Sequence, residues 1–359
     1  MNPSHYFPIL KARAGEMDAL GRLPHGHMGF VTPILEVSQP GFKRVKAKEG
    51  TGMEAVRRSL TEHVDTVIAN VLEHLREGPR LYLDGHHLNQ EGTMPDGTPP
   101  LAYIVRRLAG EGLRAGIVVR NHARSLEVAA LSDLIEQRQC EVCLRLGDSD
   151  FEPSEVQATA AGTVEALGLR EREVELLLDF GAASGERVRS MQITAETITG
   201  AVARGAWKSV IAASTAYERW PAGVGIGEPL ALPRYERRVF EAANRGGRGR
   251  RVQYGDFGVS GYEMVPPSDF ARAGVKLRYT IAECYLLYFA GQLKEVGGEG
   301  FRSIAKRVVR HPEFTPKLTW GDIFIEDCAA GGDTGGTAKW AAVGTSHHIG
   351  FLLSELGLL

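Results

Sequence analysis

Short runs of apolar residues recur along the first 260 residues, and most of them are apolar at successive positions. Continuous apolar runs are typical of strands buried on both faces, as in a parallel sheet that is covered by helices on one side and filled on the other. The pattern predicts eight strands, within residues 5–13, 30–38, 80–85, 114–121, 140–147, 174–181, 208–215 and 251–258.

Stretches with apolar residues at three-to-four spacing lie between many of these runs and predict amphipathic helices. In the longest, residues 52–78, the apolar stripe consists of Val56, Leu60, Val64, Val67 and Val71. A strand followed by a helix, repeated eight times, implies parallel strands joined by right-handed crossovers. We therefore predict the α/β class and a (β/α)8 TIM-like barrel.

The rhythm changes beyond residue 260. Residues 276–291, KLRYTIAECYLLYFAG, fit either a buried helix or a pair of strands, whereas residues 300–314 predict an amphipathic helix and residues 338–357 predict the last helix. We expect one domain spanning residues 1–359, in which residues 260–359 form the elaborated eighth helix and a C-terminal helical extension packed on the barrel. A separate small domain is the alternative.

Composition and charge exclude several classes of protein. The 359 residues are 43% hydrophobic and 24% charged, as in ordinary globular proteins, and the net charge of -2 gives no overall attraction to nucleic acid. The basic run GGRGRR at residues 246–251 is either a solvated face or a patch that grips nucleic-acid phosphates. Phosphate-loop, dinucleotide-binding and α/β-hydrolase motifs are absent from the sequence.

The cysteines and the apolar stretches predict a cytoplasmic protein. Four cysteines are too few and too irregularly spaced for a disulfide framework, and the CEVC motif at Cys140 and Cys143 lies in an apolar run where inert thiols are expected. The N-terminus lacks the pattern of a signal peptide, and no apolar stretch reaches the roughly 18 residues that a membrane helix needs. We expect no membrane partner.

Ionisable residues stand where most of the predicted strands end. In chain order these last strand residues are Lys11, Glu36, Asp84, Arg120, Arg145, Asp179, Ser214 and Asp256. The carboxyl ends of barrel strands surround one shared mouth, where enzymes of this fold carry their active sites. Because charges gathered there cost free energy unless they are paired or used, the pattern favours a ligand site over a structural charge network.

The charges at the mouth suggest specific chemistry. Glu36, Asp84, Asp179 and Asp256 are predicted catalytic acids and bases, and their oxygens suit Mg²⁺ or Mn²⁺. The predicted anion-binding residues are Lys11, Arg120 and Arg145. This combination favours metal-assisted attack on a phosphoester or nucleotide. A glycosidase would need only two of the carboxylates, and Schiff-base chemistry would rest on Lys11.

Two histidine pairs are further candidates. His86 and His87 follow the strand that ends at Asp84, where they would be metal ligands, general acids or solvated loop residues. His347 and His348 belong to the last predicted helix, and a cap or a packing contact is expected there. His348 becomes a site residue if the C-terminal extension folds over the mouth.

Several motifs together resemble one known family. They are YFPILKARAGEMDAL near the start, TPILEV after it, YGDFG at residues 254–258 and KWAAVGTSHHI near the end. Their sequence is similar to that of the beta protein family, which is named for a protein of a satellite phage and occurs in bacteria and their mobile elements. The resemblance implies a role in phage or mobile-element biology. It emphasises Lys11, Glu16, Glu36, Asp256, Trp340 and His348.

The sequence leads to three functional hypotheses. The first is a phage-defence or mobile-element protein whose barrel-mouth pocket takes a phosphorylated or anionic ligand, with a metal-dependent phosphodiesterase or nuclease-like hydrolase as its enzymatic form. The second is a non-catalytic sensor of a nucleotide or phage-derived molecule, working with other proteins of a defence cassette. The third is an interaction scaffold in which the charges are structural.

Overall fold

The computed structural model describes residues 3–46, 53–120, 126–221, 223–265 and 273–359. The strands in these ranges are, in chain order, β1 (Tyr6–Lys11), β2 (Ile34–Glu36), β3 (Phe42–Lys46), β4 (Met53–Arg57), β5 (Leu81–Asp84), β6 (Ala115–Arg120), β7 (Val142–Leu146), β8 (Val174–Ala182), β9 (Ser209–Thr215), β10 (Leu230–Pro233), β11 (Val252–Asp256), β12 (Gly274–Thr280) and β13 (Cys284–Gln292).

The helices surround these strands. They are α1 (Ala14–Gly21), α2 (His25–Met28), α3 (Leu60–Leu75), α4 (Pro100–Gly110), α5 (Leu126–Glu136), α6 (Val156–Ala166), α7 (Val188–Val202), α8 (Tyr235–Gly246), α9 (Leu293–Val309), α10 (Trp320–Ala330) and α11 (Thr337–Glu355). Within the described ranges, none of them is both long and apolar enough to cross a membrane.

Eight strands close into a parallel barrel, in the order β1-β11-β9-β8-β7-β6-β5-β2. The ring closes where β1 pairs with β2, so that Lys11 lies beside Glu36. The (β/α)8 prediction is confirmed, and each predicted apolar run overlaps one barrel strand. The runs were continuous because barrel strands are buried on both faces.

The two faces of the barrel strands belong to different cores. The inward side chains form an interior cluster that includes Phe7, Ile9, Tyr82, Leu177 and Phe257. The outward side chains pack on the helices in a larger cluster. Because side chains alternate along a strand, each strand's apolar interior residues fix which residue at its carboxyl end points into the mouth.

One predicted helix is shorter than expected. Residues 53–57 are β4, which pairs antiparallel with β3, so Val56 does not belong to the helical stripe and is 39% exposed. Helix α3 begins at Leu60 because Ser59 and Glu62 form a capping box, in which each side chain accepts a hydrogen bond from the other residue's backbone.

The segment after β11 adds a second small sheet to the barrel. Residues 276–291 form most of the hairpin of β12 and β13, so the strand-pair interpretation was the right one, and β10 joins to give the order β10-β13-β12. This sheet packs with α9 and α10 in its own apolar cluster.

Helix α11 returns to the barrel and packs on α1. At their crossing a Cβ atom on Gly15 would lie 2.5 Å from the carbonyl oxygen of Ala338, so only glycine allows this approach. Ile349, Leu352 and Leu353 of α11 complete the outer core of the barrel.

Candidate functional site

Six of the eight predicted strand-end residues converge in the barrel mouth. All six lie an even number of positions from an apolar interior residue of the same strand, so they point inward and form a charged layer above the apolar filling. They are Lys11, Glu36, Asp84, Arg120, Arg145 and Asp179.

Arg145 is the centre of this layer. Its Nη1 donates to Glu36 Oε1 at 2.9 Å and to Asp84 Oδ2 at 2.7 Å, and its Nη2 donates to Asp179 Oδ2 at 2.7 Å. All four side chains are at most 3% exposed. A guanidinium buried among three carboxylates from three strands is therefore a fixed part of the mouth, and it is not open to an anion from solvent.

A bulge in β8 after Asp179 explains why a carboxylate stands near the end of this apolar strand. Asp179 Oδ1 accepts a hydrogen bond from the backbone N–H of Gly181 at 2.9 Å. Gly181 has a φ of 71°, a left-handed conformation that favours glycine. The sequence DFG thus shifts the register of the strand, while the second carboxylate oxygen of Asp179 accepts from Arg145.

Lys11 is as enclosed as Arg145. Its Nζ pairs with Glu36 Oε2 and donates to the backbone oxygen of Tyr262 at 3.1 Å. The ring of Phe257 lies close to both cations, with its centroid 5.6 Å from Lys11 Nζ and 5.7 Å from Arg145 Cζ. The Tyr262 hydroxyl donates to Asp179 Oδ2 at 3.4 Å.

The cations keep Glu36 and Asp84 ionised. Burial alone would raise the pKa of Glu36, but Arg145 and Lys11 outweigh it and hold that pKa below its ordinary value. For Asp84, burial likewise opposes ionisation, and Arg120 and Arg145 together lower its pKa strongly. The layer is thus a set of ion pairs in which opposite charges compensate burial.

The rim is more open than the centre. Arg120 donates from Nη2 to Asp84 Oδ2 at 3.0 Å, yet its side chain is 32% exposed. Its buried Nε has no hydrogen-bond partner among the described residues. Arg120 is therefore paired but still accessible to a ligand.

His86 and His87 lie on the same rim. His86 is exposed and His87 is half-buried, and their ring centroids are 5.2 Å apart in an edge-to-face contact. The backbone N–H of His86 donates to Asp84 Oδ1 at 3.0 Å. Burial lowers the pKa of both imidazoles, and Arg120 lowers that of His86 further. Both rings are therefore neutral at pH 7 and able to accept a proton.

The mouth does not fit the predicted Mg²⁺ or Mn²⁺. Glu36, Asp84 and Asp179 direct oxygens at Arg145, which fills the position between them that a cation would take. The described residues contain no group of three or more acidic, histidine or cysteine side chains arranged to hold a metal ion.

Asp256 is not part of the mouth, contrary to the prediction. Gly255 and Phe257 face the interior side of β11, so Asp256 between them points outward towards α11. Its Oδ1 accepts from the Tyr6 hydroxyl at 2.7 Å and from Gly258 N at 2.9 Å.

His348 is the partner of Asp256 on α11 and is also outside the mouth. Its Nε2 lies 2.9 Å from Asp256 Oδ2, and because a carboxylate only accepts, Nε2 carries the hydrogen. Its Nδ1 lies 2.8 Å from the hydroxyl of Thr280. Both His348 and Asp256 are almost completely buried, so the pair ties the last helix to the barrel.

The basic run at residues 246–251 precedes β11 and thus lies at the opposite end of the barrel from the mouth. Arg250 donates from Nη1 to the backbone oxygen of Gly205 at 2.7 Å and from Nη2 to that of Trp207. Arg245 pairs with Glu196 on the neighbouring helix. Arg250 and Arg245 therefore make structural contacts within the protein.

Two residues of the mouth were missed from the sequence. Phe257 lies one position beyond the predicted strand end, and its inward orientation could have been inferred from the alternation along β11. Tyr262 lies in the loop after β11, and no pattern in the sequence marks it. Glu16 and Trp340, which the resemblance emphasised, are buried outside the mouth.

Similar folds occur in enzymes of several kinds. A GH18 chitinase from Pseudoalteromonas aurantia is 10% identical with a TM-score of 0.38, over 70% of this chain and 93% of that one. The YdjI aldolase from Escherichia coli K12 is 9% identical with a TM-score of 0.35, over 99% and 92% of the two chains. Such distant likenesses carry no argument about activity.

A third similar structure is the carboxyl transferase domain of Rhizobium etli pyruvate carboxylase, 11% identical with a TM-score of 0.40, over 74% of this chain and 42% of that one. No curated protein matches the sequence. The model of the family described as Beta protein, however, matches residues 6–354, which is nearly the whole length of the sequence. The chain therefore belongs to the Beta protein family.

Proposed function

We propose that the barrel mouth binds a small anionic ligand, such as a phosphorylated metabolite or a nucleotide, through Arg120. The observation that carries this proposal is the difference between the mouth cations. Lys11 and Arg145 are enclosed and paired, whereas Arg120 is 32% exposed and has a buried Nε without a partner among the described residues. An anion at the rim would pair with the exposed part of the Arg120 side chain.

The neighbouring histidines give this site a capacity for proton transfer. An anion bound at Arg120 lies beside His86 and His87, whose lowered pKa values leave them neutral at pH 7. A neutral imidazole can take a proton from a bound substrate and return it to a leaving group. We therefore favour a metal-independent acid–base enzyme over the metal-assisted phosphodiesterase, since the donor set does not fit a metal.

A non-catalytic sensor is the second candidate, and one observation favours it. The carboxylates Glu36, Asp84 and Asp179 are all held by Arg145, so none of them is free to serve as a base. A sensor would use the same rim to bind its ligand and would leave the ligand unchanged.

The test compares Arg120→Gln with the unchanged protein. Inorganic phosphate and AMP serve as probes in calorimetric titrations, with mass spectrometry of co-purified small molecules to find the natural ligand. A charge-assisted hydrogen bond contributes roughly 1.5–3 kcal/mol, so the variant should bind at least about tenfold more weakly.

Arg106→Gln is the matched control, because within the described part of the chain Arg106 bonds to Asp133 and to the backbone oxygen of Ala130, on helix α5 outside the mouth. It should bind the probes as the unchanged protein does. Equal affinity in Arg120→Gln, or no binding of either probe and no co-purified anion, would contradict the proposal. Turnover of the bound ligand that is lost in His86→Asn and His87→Asn separates an enzyme from a sensor.

The biological setting is a further proposal, and its link to phage rests on the family resemblance. We propose a role in phage defence within the cytoplasm, and the four unpaired cysteines support a reducing compartment. The Arg120→Gln variant also tests this proposal. If the mouth serves defence, cells that express the variant lose the protection against phage infection that the unchanged protein gives.

A further inference from the structure

A second candidate site lies beside the barrel, where the start of α1, strand β12 and helix α11 meet. A cavity of about 420 Å³ opens there, within the range of roughly 300–1,000 Å³ that small-molecule sites occupy. Its wall includes Glu16, Trp220, Lys276, Arg278 and Thr345. None of these residues belongs to the charged layer of the mouth.

Arg278 enters this cavity as a buried cation, and no described residue forms an ion pair with it. Only 6% of the residue is exposed, and its Nε and Nη1 have no hydrogen-bond partner within the described ranges. The guanidinium stacks on Tyr217, 4.0 Å from the ring centroid. Burial lowers the pKa of Arg278 to about 9, so the group is still charged at pH 7.

Glu16 enters the same cavity with the opposite charge. It is 3% exposed, and Ser260 donates to its Oε1 at 2.7 Å, while its Oε2 is buried and lacks any partner in the described part of the chain. Burial raises its pKa. The hydroxyl of Thr345 is likewise buried without a partner there.

Glu16 and Arg278 face one cavity, yet among the described residues no ion pair joins them. Buried polar groups without partners cost free energy, and buried charges cost more, unless something pairs them. A guest with an acceptor at one end and a donor at the other would satisfy both groups at once. The arrangement is therefore that of a site prepared for a ligand with two opposite charges.

The other charged residues of the cavity indicate which net charge the ligand should have. Arg13 and Lys276 also line the cavity, so three cations face one carboxylate. Lys276 Nζ lies 4.8 Å from the ring centroid of Trp220. An excess of cations favours a ligand with more negative than positive groups.

We propose that this cavity binds a small amino acid with an acidic side chain, with glutamate or aspartate as the simplest case. Carboxylates of the ligand pair with Arg278 and the nearby cations, and its ammonium group donates to Glu16. This site is independent of the proposed function of the mouth, because the two share no residue.

The test uses two probes that differ only in the ammonium group, L-glutamate and glutarate. Calorimetric titration of the unchanged protein should show glutamate binding about tenfold or more tightly than glutarate, since a charge-assisted hydrogen bond is lost without the ammonium. Glu16→Gln should abolish this preference. Arg278→Gln should weaken both probes by a similar factor.

Ala338→Phe provides a second route to the same answer. Ala338 lines the cavity from an exposed position on α11, so a larger side chain there fills the cavity without entering the core. It should abolish binding of both probes, whereas the exposed, distant Arg76→Gln should leave binding unchanged. The proposal is overturned if the unchanged protein binds neither probe at millimolar concentration, if Glu16→Gln keeps the preference, or if Ala338→Phe binds normally.

Discussion

Among single residues, Glu236 is a carboxyl group whose burial has a direct thermodynamic consequence. Its Oε1 accepts from Arg234 Nε at 3.2 Å and from the Tyr285 hydroxyl at 2.9 Å, whereas its Oε2 has no partner among the described residues. Burial outweighs the attraction of Arg234 and raises the pKa of Glu236 to about 7 from an ordinary value of 4.5. The folded protein therefore holds this proton more tightly than the unfolded chain does.

A raised pKa stabilises the folded state below the unfolded pKa, and this contribution is lost as pH rises through the folded pKa. Relative to Glu236→Gln, which cannot ionise, the unchanged protein should lose about 3 kcal/mol of unfolding free energy between pH 4.5 and pH 8. Urea unfolding of both proteins across this range measures the difference. A difference that is independent of pH would contradict the assignment.

At the level of elements, Asp256 joins three parts of the chain. It accepts hydrogen bonds from Tyr6 on β1, from the backbone of the turn after β11 and from His348 on α11. These contacts hold the last helix against the outer face of the barrel. The carboxylate is thus structural on this geometry, whereas the strand-end pattern alone suggested catalysis.

Asp256→Ala should destabilise the protein by about 3 kcal/mol or more, because each buried donor left without an acceptor costs roughly 1–3 kcal/mol. Asp256→Asn should be milder, since its amide oxygen can still accept from Tyr6. Chemical unfolding gives the stabilities, and phosphate titration should show the mouth unaffected in both variants. Loss of phosphate binding with unchanged stability would contradict this account and show that Asp256 contributes to the binding site.

The sequence predicted the elements better than the contacts between them. Continuous apolar runs located all eight barrel strands, because burial on both faces leaves a strong signal. The β12–β13 hairpin stayed ambiguous because its tip contains Ala282 and Glu283, not the Asn-Gly or Asp-Gly pairs that mark tight turns. Strand β4 was assigned to the following helix because Val56 happens to continue the helical spacing.

The same distinction applies to the candidate site. The carboxyl ends of the strands could be found from the sequence. Whether a strand-end side chain points into the mouth or outward depends on the alternation along its strand, and for this reason Asp179 points inward and Asp256 points outward. The central position of Arg145 also could not be predicted, because it depends on the order and register of strands in the closed ring. The cavity at Glu16 and Arg278 joins residues that are more than 250 positions apart in the chain.

For the whole molecule, the contacts of Arg145 connect four strands of the barrel. The guanidinium on β7 reaches β2, β5 and β8 through Glu36, Asp84 and Asp179. Removing one member of a buried ion network leaves uncompensated charge, which typically costs 3–5 kcal/mol. The closed barrel should therefore depend on this residue far more than on any surface arginine.

Arg145→Met should lower the unfolding free energy by about 3–5 kcal/mol at pH 8. In the unchanged protein the lowered pKa values of Glu36 and Asp84 stabilise the fold above their unfolded pKa, and this contribution is lost as pH falls. The deficit of the variant should therefore stay the same down to pH 5 and shrink only below the ordinary values of 4.5 and 3.8, towards pH 3. Arg106→Met should change stability little at either pH, and a deficit that grows in acid would oppose this account.

The pairing of β1 with both β2 and β11 has a consequence for biosynthesis. Strand β1 leaves the ribosome before both of its neighbours, and one of them, Val252–Asp256, is translated some 240 residues later. Translation proceeds at roughly 5–20 residues per second, so one edge of β1 lacks its partner strand for on the order of ten seconds or more. Slower translation lengthens this interval, so the exposed edge of β1 has more time to pair with other chains. We therefore expect more aggregated product from a slowly translated message unless a chaperone covers this edge.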